Sequence, residues 1–425
     1  MTERQFHNVA EIARAYLCCS CGLCEVICPE KAILLDETPG GHLFPSVAQD
    51  LCTGCGTCVK ACPGIHLLTE IPEDPFKGTA LDCRVGKATR KDVYRASQSG
   101  GGVTAVLLAL MEIGRVKGAA TVTMETGSPP RPVVSIARTT EDLLPSQGSK
   151  YCPVPVLGIF RELSKEDGPI AMVGLACHIH GLHNALILFP ELRQKVGPVI
   201  GLVCDRVLTR SAIDYLLWRS GSRADEQVSF QFRSKEWHGY PGDVKISSEG
   251  NEPRYLPNRE RVQIKDYFTP ARCRLCFDKM NVLADITAGD PWGIPDTDRK
   301  GGETALVART PEGMEALRLA IETGHLSVRE TTYDLILEGQ SIEQKKQDFS
   351  GFCSAWSSLS QPLPSQAESV LNALDVPENI SAFQNHLQNA LALDQFTSRR
   401  AMLRSARRWA VKRRLYRKIK KIFRR

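Results

Sequence analysis

The sequence predicts an α/β protein that begins with a small, cysteine-rich α+β module and ends in a helical basic tail. Three observations support this prediction. Short apolar segments alternate with helix-length segments from about residue 94 to 330, cysteines crowd into the first 70 residues, and lysines and arginines crowd into the last 29. A chain of 425 residues is also too long for one compact core, which indicates several domains.

The domain boundaries follow changes in composition. A proline-rich connection at Ile71–Pro75 ends the cysteine-rich module, and a stretch rich in Ser, Pro and Gln at 354–377 predicts a linker. A helix is predicted after it at Ile380–Leu393. The predicted regions are therefore 1–70, 71–205, 206–353, a linker and helix at 354–396, and a basic tail at 397–425.

The α/β character of the middle of the chain comes from its short apolar runs. Strands are predicted at Ala120–Met124, Val133–Arg138, Ile170–Gly174, Val199–Cys204 and Ala305–Ala308. Helices are predicted at Val103–Gly114, Val154–Leu163, Ser211–Ser220 and Pro311–Thr323. Between residues 227 and 247 the helical pattern fades, and short strands or loops are expected.

Two runs of four cysteines in the N-terminal module share the spacing C-x2-C-x2-C-x3-C-P. The first run is Cys18, Cys21, Cys24 and Cys28, and the second is Cys52, Cys55, Cys58 and Cys62. Three thiolates two residues apart can bind three irons of a cubane, while the fourth points away. In two-cluster ferredoxins the fourth cysteine ligates the other cluster.

This spacing predicts two 4Fe-4S clusters in a bacterial-ferredoxin arrangement. One is assigned to Cys18, Cys21, Cys24 and Cys62, and the other to Cys52, Cys55, Cys58 and Cys28. Cys19 lies outside the pattern and is interpreted as a spare thiol. Zinc is the alternative, but zinc favours paired C-x2-C units that close one tetrahedral site, and two complete runs ending in Cys-Pro disfavour it.

The sequence also predicts a cytoplasmic protein. The N-terminus, Met1–Ala15, is charged and lacks the apolar core of a secretory signal. No apolar run approaches the roughly 18–20 residues that span a bilayer. The cysteines are therefore expected to be reduced thiols or metal ligands rather than disulfides.

A glycine-rich turn, Ser97–Thr104, leads into the helix predicted at Val103–Gly114. Such turns expose N–H groups at a helix N-terminus, where an anion such as phosphate can bind. Glycine turns also serve as plain connectors, so this feature alone leaves both interpretations open.

Further segments follow this turn in a characteristic order: Gly148–Tyr151, Val173–Cys177, Gly201–Cys204, Cys273–Asp278 and Ala284–Gly293. With the ferredoxin-type module in front, the region from Cys18 to Glu330 resembles the coenzyme F420 hydrogenase/dehydrogenase beta-subunit family. Plant 7-hydroxymethyl chlorophyll reductase and one type of divinyl chlorophyllide reductase belong to the same broad family. The most specific parts are the Ser-Gly-Gly turn and the C-x2-C-x-D and A-D-I-x-x-G-D motifs.

The resemblance implies a flavoprotein in which 71–205 binds FAD and 206–353 contributes a further cluster motif. By position, the FAD-binding residues would be Ser99, Gly100, Gly101, Gly102, Thr104, Ser149, Lys150 and Tyr151. Electrons would pass between the clusters and FAD, which exchanges hydride with a small molecule. The redox partner would be a ferredoxin or an F420-type deazaflavin. The alternatives are a non-catalytic electron-transfer subunit and an iron–sulfur protein that has lost its flavin.

A third 4Fe-4S cluster is predicted at Cys177, Cys204, Cys273 and Cys276. The first two close predicted strands, where ligands can converge, and the last two form a C-x2-C chelate. The alternative is that Cys177 and Cys204 are buried as small apolar residues. Cys83, Cys152 and Cys353 have no partner pattern and are interpreted as plain thiols.

Two other groups of polar residues accompany this motif. His178, His180 and His183 are spaced too irregularly to chelate a metal from one helical face, and packing or surface roles are expected. Asp278, Asp285 and Asp290 fit hydrogen bonds near a flavin or substrate as well as they fit turn caps.

The basic tail contains 14 lysines and arginines and no acidic residue, which leaves residues 1–396 with a net charge of −8. Its aromatic and apolar residues, Trp409, Tyr416, Ile419 and Phe423, recur at near-helical spacing. An amphipathic helix of this type suits an anionic membrane surface, so a peripheral membrane location is one prediction. An acidic protein partner is the other, while nucleic acid is disfavoured because no recognition fold accompanies the tail and the body is acidic.

Overall fold

The computed structural model describes residues 6–375, 377, 380–396 and 398–422. The N-terminal module contains three short helices and one β-hairpin: α1 (Val9–Arg14), α2 (Leu23–Ile27), β1 (Ile33–Glu37), β2 (Leu43–Val47) and α3 (Thr57–Lys60). Strands β1 and β2 pair antiparallel, with Leu35 opposite Pro45. This α+β module packs its apolar residues, among them Val9, Ile12 and Leu17, against the main body.

The main body is built on a mixed sheet. Its strands and the helices between them are β3 (Asp82–Ala88), α4 (Lys91–Ala96), α5 (Gly102–Glu112), β4 (Gly118–Glu125), β5 (Arg131–Ala137), α6 (Thr140–Leu143), β6 (Ile170–Gly174), α7 (Ala176–Leu188) and β7 (Val196–Leu202). The later part adds α8 (Ser211–Arg219), β8 (Ser229–Ser234), β9 (Asp243–Ser247), β10 (Arg254–Leu256), α9 (Asn258–Phe268), α10 (Ala271–Arg274), β11 (Ile286–Gly289), β12 (Thr304–Ala308), α11 (Pro311–Glu322) and β13 (Leu326–Glu330).

Within the described residues the large sheet has eight strands in the order β13-β3-β12-β11-β7-β6-β4-β5. Strands β4, β6, β7 and β11 run parallel, and the strands outside them pair antiparallel. The inner strands read as continuous apolar runs because helices cover both faces of the sheet. Ile170 and Met172 on β6, for example, are almost fully buried. The predicted mixture of strands and helices is confirmed, with a mixed rather than purely parallel sheet.

The parallel strands bring several chain segments to one edge of the sheet. Strands β6, β7 and β11 end at Gly174, Leu202 and Gly289, and their carboxyl ends lie side by side because the strands are parallel neighbours. The residues that follow these strands include Cys177, Cys204 and Asp290. In open α/β sheets this edge is where ligands usually bind.

A smaller antiparallel sheet, in the order β10-β9-β8, lies outside the large one. It packs with α8 and α9 around a separate apolar core that includes Phe230, Phe232 and Phe268. The predicted short strands or loops at 227–247 are therefore two strands, β8 and β9.

The C-terminal part consists of helices: α12 (Tyr333–Gly339), α13 (Ile342–Ser358), α14 (Ser365–Leu371), α15 (Ser381–Leu391) and α16 (Arg399–Ile422). The predicted linker at 354–377 instead contains the end of α13 and all of α14, with a non-helical stretch between them. Its composition is typical of a loop, yet Trp356 and Ala367 within it are fully buried. The helix predicted at Val154–Leu163 is replaced by two short 3-10 turns, Val156–Ile159 and Glu162–Lys165. Prolines at 153 and 155 are incompatible with a continuous α-helix there.

The C-terminal helices return to the N-terminal module. The carboxylate Oδ1 of Asp394 accepts hydrogen bonds from Thr38 Oγ1 at 2.6 Å and from Gly40 N at 2.8 Å. Gln366 Nε2 donates to the carbonyl of Pro63 at 3.0 Å. The N-terminal module and the segment around residues 366–394 are therefore parts of one packed structure.

The basic tail forms α16, and its first half lies on the body rather than apart from it. Met402, Ala406 and Ala410 are buried in the core of the small sheet. Arg414 pairs with Glu260 at 3.4 Å, and Arg413 pairs with Asp266, both on α9. Trp409 lies beside the Tyr267 ring, so it faces the body, whereas Val411, Leu415 and Tyr416 are exposed. The side chains of Ile419 and Phe423 lie outside the described residues.

Candidate functional site

The two cysteine runs of the N-terminal module border two cavities. Cavity I is lined by Cys18, Cys21, Cys24 and Cys62, and also by Cys19 and Cys58. Cavity II is lined by Cys28, Cys52, Cys55 and Cys58. The structure therefore brings the last cysteine of each run to the cavity of the other run, which is the exchange that the spacing predicts.

Short helices position the middle cysteines of each run. Helix α2 begins after Gly22 and carries Cys24, and α3 begins after Gly56 and carries Cys58. Both glycines have left-handed backbones, with φ of +85° and +73°, a conformation that a side chain disfavours. The repeated sequence thus produces two matching turns, each leading into a helix.

The thiols of each run border a cavity, as cluster ligands would, rather than converging on one metal ion. Among the described residues, no three His, Cys, Asp or Glu side chains converge where a single metal ion would bind. Burial raises the pKa of the thiols of Cys18, Cys21 and Cys62 well above its ordinary value. Bound iron would supply the positive charge that ionises them, as metals do for ligating thiols. Four thiols that border one cavity fit the ligand set of a cubane cluster.

A third cavity adjoins the first. Cavity III is lined by Cys177, Cys204, Cys273 and Cys276, the four residues predicted for a third cluster, and also by Cys18, Cys19 and Cys152. Cys204 follows β7, and its backbone N donates to the carbonyl of Lys279 at 2.9 Å, which brings it beside Cys276. The loop-and-helix segment from Pro270 to Asp278 supplies the C-x2-C pair.

Cys177 differs from its prediction. It does not close a strand but lies in the first turn of α7, because β6 ends at Gly174 and the helix begins at Ala176. The neighbouring Cys19 and burial raise the pKa of the Cys177 thiol, so, like the other buried thiols, it would need a bound metal to ionise it.

Cys19, which the spacing leaves as a spare thiol, donates to the Leu17 carbonyl at 3.9 Å and lies with Cys177 in the wall of cavity III. The nearby Cys177 side chain and Arg272 guanidinium lower the pKa of Cys19 to about 6, against the opposing effect of burial. Spacing rules could not reveal this position, since Cys177 is 158 positions away in the sequence. The only hint is the doubled cysteine itself.

The three cavities form a row. Cys58 lines both cavity I and cavity II, and Cys18 lines both cavity I and cavity III. Cys55 of cavity II is exposed to solvent, whereas the cysteines of cavity III are only partly exposed and lie among α7, α10 and the strand ends. The row therefore leads from the surface of the N-terminal module into the main body.

The glycine turn at Ser99–Gly102 is packed tightly against the large sheet. A Cβ on Gly100 would lie 2.5 Å from the carbonyl oxygen of Gly86 and 2.6 Å from Thr304 N, so only glycine fits there. Gly102 N donates to Thr304 Oγ1 at 3.2 Å, and Ser99 Oγ donates to the Glu303 carbonyl. Thr104 is buried on α5. Close packing accounts for part of this motif without a ligand.

The second predicted FAD segment lies next to the first. Ser149 N donates to Gln98 Oε1 at 2.9 Å, which joins the two segments. Tyr151 Oη accepts a hydrogen bond from Arg233 at 3.2 Å. The ammonium of Lys150 donates to the carbonyls of Ser146 and Gln147, and burial lowers its pKa to about 7. An anionic group placed there would favour the charged form of this lysine.

The histidines and aspartates of the motif mostly make structural contacts. Buried His180 bonds with Asp278 at 2.9 Å, and Asp278 also accepts from Val282 N. His178 Nδ1 accepts from Leu175 N at the start of α7, and His183 bonds with the Leu283 carbonyl. These contacts agree with the packing role expected of the histidines.

Asp285 and Asp290 differ in their surroundings. Asp285 accepts from Val199 N and Thr310 Oγ1, so it fixes β7 against the start of α11. Asp290 pairs with Arg233 at 2.7 Å, the arginine that also reaches Tyr151. Asp290 is therefore the one of the three predicted aspartates that lies beside the candidate FAD residues.

The remaining cysteines are separate from these sets. Cys83 lies on β3, and Cys353 is buried in the core on α13. Cys152 is buried and lines cavity III, although it belongs to none of the predicted ligand sets.

None of the helices in the described part of the chain combines the length and apolar character needed to cross a membrane.

Three regions of the chain match known families. Residues 17–64 match a 4Fe-4S dicluster domain. Residues 83–161 match the N-terminal part, and residues 167–333 the C-terminal part, of the coenzyme F420 hydrogenase/dehydrogenase beta subunit.

Individual relatives are similar over much of their length. A subunit of the F(420)H(2) dehydrogenase of Methanosarcina mazei is 25% identical over 350 residues, which cover 80% of this chain and 92% of the relative. Coenzyme F420 hydrogenase subunit beta of Methanosarcina barkeri is 23% identical over 257 residues, covering 59% of this chain and 82% of the relative. The chain spans only 47% of the coenzyme F420-dependent sulfite reductase of Methanocaldococcus jannaschii, at 26% identity and 73% coverage of this chain.

The fold is also similar to a solved structure. A chain of the F420-reducing [NiFe] hydrogenase complex from Methanosarcina barkeri superimposes with a TM-score of 0.52 at 19% sequence identity, covering 69% of this chain and 98% of that one. This likeness supports the fold described above.

Proposed function

As a member of the coenzyme F420 hydrogenase/dehydrogenase beta-subunit family with a 4Fe-4S dicluster domain, this chain is an iron–sulfur oxidoreductase that transfers electrons, and we propose that it also uses FAD. In this proposal electrons move between three 4Fe-4S clusters and FAD, and hydride passes to or from a small-molecule substrate. The clusters supply one-electron chemistry, and the flavin supplies the conversion to hydride chemistry.

The observation that carries the proposal is the row of three thiol-lined cavities. Each has four candidate ligands, and neighbouring cavities share a lining cysteine, Cys58 or Cys18. The proposed ligands are Cys18, Cys21, Cys24 and Cys62 in cavity I, Cys28, Cys52, Cys55 and Cys58 in cavity II, and Cys177, Cys204, Cys273 and Cys276 in cavity III. A protein with one isolated cluster would not need this arrangement.

The surface end of the row is where a redox partner would dock. Cys55 is exposed, and so are two large apolar side chains of the same module, Leu34 at 62% and Leu51 at 50%. Exposed apolar side chains beside a redox site suit a transient protein contact. A ferredoxin would approach this end, whereas an F420-type deazaflavin would approach the flavin.

The proposed FAD residues include a half-buried lysine. Ser99–Gly102, Thr104 and Ser149–Tyr151 belong to two adjoining segments, and Lys150 is the cation among them. In this proposal Lys150 stabilises negative charge on the reduced flavin or on a phosphate. The Arg233–Asp290 pair holds Tyr151 in place beside it.

A non-catalytic electron-transfer subunit is the second candidate, because two of the relatives are named as subunits of larger enzymes. Turnover by the isolated chain with a deazaflavin or ferredoxin would favour the enzyme. Stable co-purification with a partner, and no turnover without it, would favour the subunit.

The tail has a more restricted role than its sequence predicts. The inner face of α16 is used for packing, so contact with an anionic membrane surface or an acidic protein would involve the outer face around Val411, Leu415 and Tyr416. Sedimentation with anionic and neutral vesicles would test the membrane alternative. Equal binding to both, or none, would contradict it.

Cofactor analysis of protein purified without oxygen tests the main proposal. About twelve irons, with matching acid-labile sulfide, and about one FAD per chain are expected for three cubanes and a flavin. About eight irons and no flavin would contradict the flavoenzyme and leave a two-cluster electron carrier.

A further inference from the structure

A buried arginine lies between two of the thiol-lined cavities. Arg272, on α10, is only 7% exposed and lines cavity III, immediately before Cys273. Its Nη2 donates to the carbonyl oxygen of Pro63 at 3.2 Å, and Pro63 follows Cys62 of cavity I. One guanidinium therefore reaches the walls of both cavities.

This guanidinium is incompletely paired by the protein. Its Nε is buried and has no hydrogen-bond partner among the described residues. The thiols of Cys19, Cys177 and Cys276 line the same cavity as this cation, which places cysteine sulfurs among the groups that can compensate its charge.

A buried charge is costly unless an opposite charge lies close to it. A cubane with four thiolate ligands is negative overall and becomes more negative when it accepts an electron. A nearby cation that cannot lose its proton stabilises the reduced state more than the oxidised state. Net charge around a cluster is one of the factors that set its reduction potential.

We propose that Arg272 is a fixed counter-charge shared by the clusters of cavities I and III, which raises the reduction potential of both. This inference rests on the proposed function, because it requires a cluster in cavity III. It adds a residue that ligates no iron and that neither cysteine spacing nor family motifs assign.

The neighbouring Arg274 provides a matched control. It lies on the same short helix and is 5% exposed, and its Nε is likewise unpartnered among the described residues. Its Nη2, however, donates to the Asp266 carbonyl at 2.9 Å, and its guanidinium lies 4.9 Å from the centre of the Phe352 ring. Arg274 lines none of the three cavities described above.

The test is a potentiometric titration of the full chain, followed by electron paramagnetic resonance, for the wild type and for Arg272→Gln, Arg272→Lys and Arg274→Gln. In Arg272→Gln, the midpoint potentials of two of the three clusters are expected to move downward while the third stays unchanged. Arg272→Lys keeps the charge and is expected to retain most of the wild-type potentials. Arg274→Gln is expected to leave all three in place.

Two results would overturn the inference: unchanged potentials in Arg272→Gln, or an equal shift in Arg272→Gln and Arg274→Gln. If Arg272→Gln does not retain its clusters, Arg272→Lys decides, since a fall of two potentials with the charge still present contradicts a role for the charge. The iron content of the wild type shows whether a failed test contradicts the role of Arg272 or the proposed third cluster on which that role depends. About eight irons in the wild type would remove the proposed third cluster, whereas about twelve irons with insensitive potentials would remove only the role of Arg272.

Discussion

Cys28 and Cys62 each line the cavity of the opposite cysteine run, and paired substitutions can show whether each also ligates there. Cys18→Ser with Cys62→Ser should remove one cluster, because both residues serve cavity I. Cys52→Ser with Cys62→Ser should remove two. The expected losses are about four and about eight irons per chain, respectively.

Iron analysis and visible spectra of the two double variants provide the measurement, with Cys83→Ser as the control. If each run closed its own cluster, the order of the two losses would be reversed, and the exchange of Cys28 and Cys62 would be wrong.

Lys150 predicts how flavin binding depends on pH. Burial lowers its pKa to about 7 in the free protein, and an anionic flavin group would bind best when the lysine is protonated. Flavin affinity should therefore be highest below pH 7 and should fall as the pH rises above it, up to the higher pKa of the complex. Fluorescence titration from pH 6 to pH 9 would measure this fall.

Lys150→Met should bind flavin more weakly at pH 6 and lose this part of the pH dependence, while Lys87→Met serves as a surface control. An identical pH profile in wild type and Lys150→Met would exclude Lys150 from flavin binding.

At the level of single residues, the sequence predicts positions that depend on the spacing of cysteines. It misses positions that depend on contacts between residues far apart in the chain. The eight cysteines of the two runs can be assigned to cavities from their separation alone. Cys19 and Arg272 cannot, because their partners, Cys177 and the Pro63 carbonyl, are distant in the sequence. Lys150 is identified through the family motif, yet its burial becomes evident only in the fold.

Among the secondary-structure elements, α16 depends most clearly on its inner face. Ala406 is fully buried against the small sheet, whereas Val411 on the same helix is 51% exposed. Ala406→Asp should place an unpaired charge in the core and weaken the docking of α16 by about 3 kcal/mol, while Val411→Asp should have little effect. Amide hydrogen exchange of residues 399–416 would report the loss, and equal protection in both variants would contradict the packing described.

The ion pairs between α16 and α9 predict an acid-sensitive contact. Burial alone would raise the pKa of Asp266, but Arg413 and Arg206 hold it below its ordinary value. A carboxylate with a lowered pKa adds stability above the unfolded aspartate pKa of about 3.9, and this stability is lost as the pH falls through the folded-state value. Protection of α16 should therefore decrease below about pH 4.

Asp266→Asn should show lower protection of α16 already at neutral pH and a weaker acid response. Asp225→Asn changes an exposed carboxylate outside this contact and is the control. If the acid-induced loss of α16 protection in Asp266→Asn matched that of the wild type, the ion pair would not be its cause.

Secondary-structure elements are predicted correctly where the apolar pattern of a segment reflects how its residues are buried in the fold. Strand β6 occurs at the residues predicted, since an apolar run between turn signals fits a strand that is covered on both faces. The prediction of a linker at 354–377 is wrong because serines and prolines dominate its composition, while the apolar residues that fix its helices, such as Trp356 and Ala367, find their partners elsewhere in the chain. The assignment of Cys177 to a strand end is wrong because the boundary between β6 and α7 is only one residue long.

In the whole molecule, iron should join the N-terminal module to the main body. Cavity III combines Cys19 with thiols of the large sheet region, and cavity I adjoins it through Cys18. Because metal binding stabilises a folded site, removing iron should loosen residues 6–70 more than β6 and β7. Hydrogen exchange of holo and iron-free protein would measure the difference, and uniform loosening of module and sheet would contradict it.

The order of the main regions is predictable, because cysteine spacing, apolar periodicity and charge each mark one region. The return of the C-terminal helices to the first 70 residues is not. Gln366 and Asp394 are polar residues in segments with no distinctive pattern, and their partners are the Pro63 carbonyl and the Thr38–Gly40 turn.

The contact between Asp394 and Gly40 joins residues 354 positions apart, and this separation bears on how the protein is made. Ribosomes add about 5–20 residues per second, so roughly 20–70 s pass between the emergence of the two partners. For most of that interval the eight cysteines of the two runs are already synthesised, while the later helices that pack against their module are not. If these cysteines bind clusters as proposed, the cell's iron–sulfur assembly factors would meet them before the later helices restrict access to them.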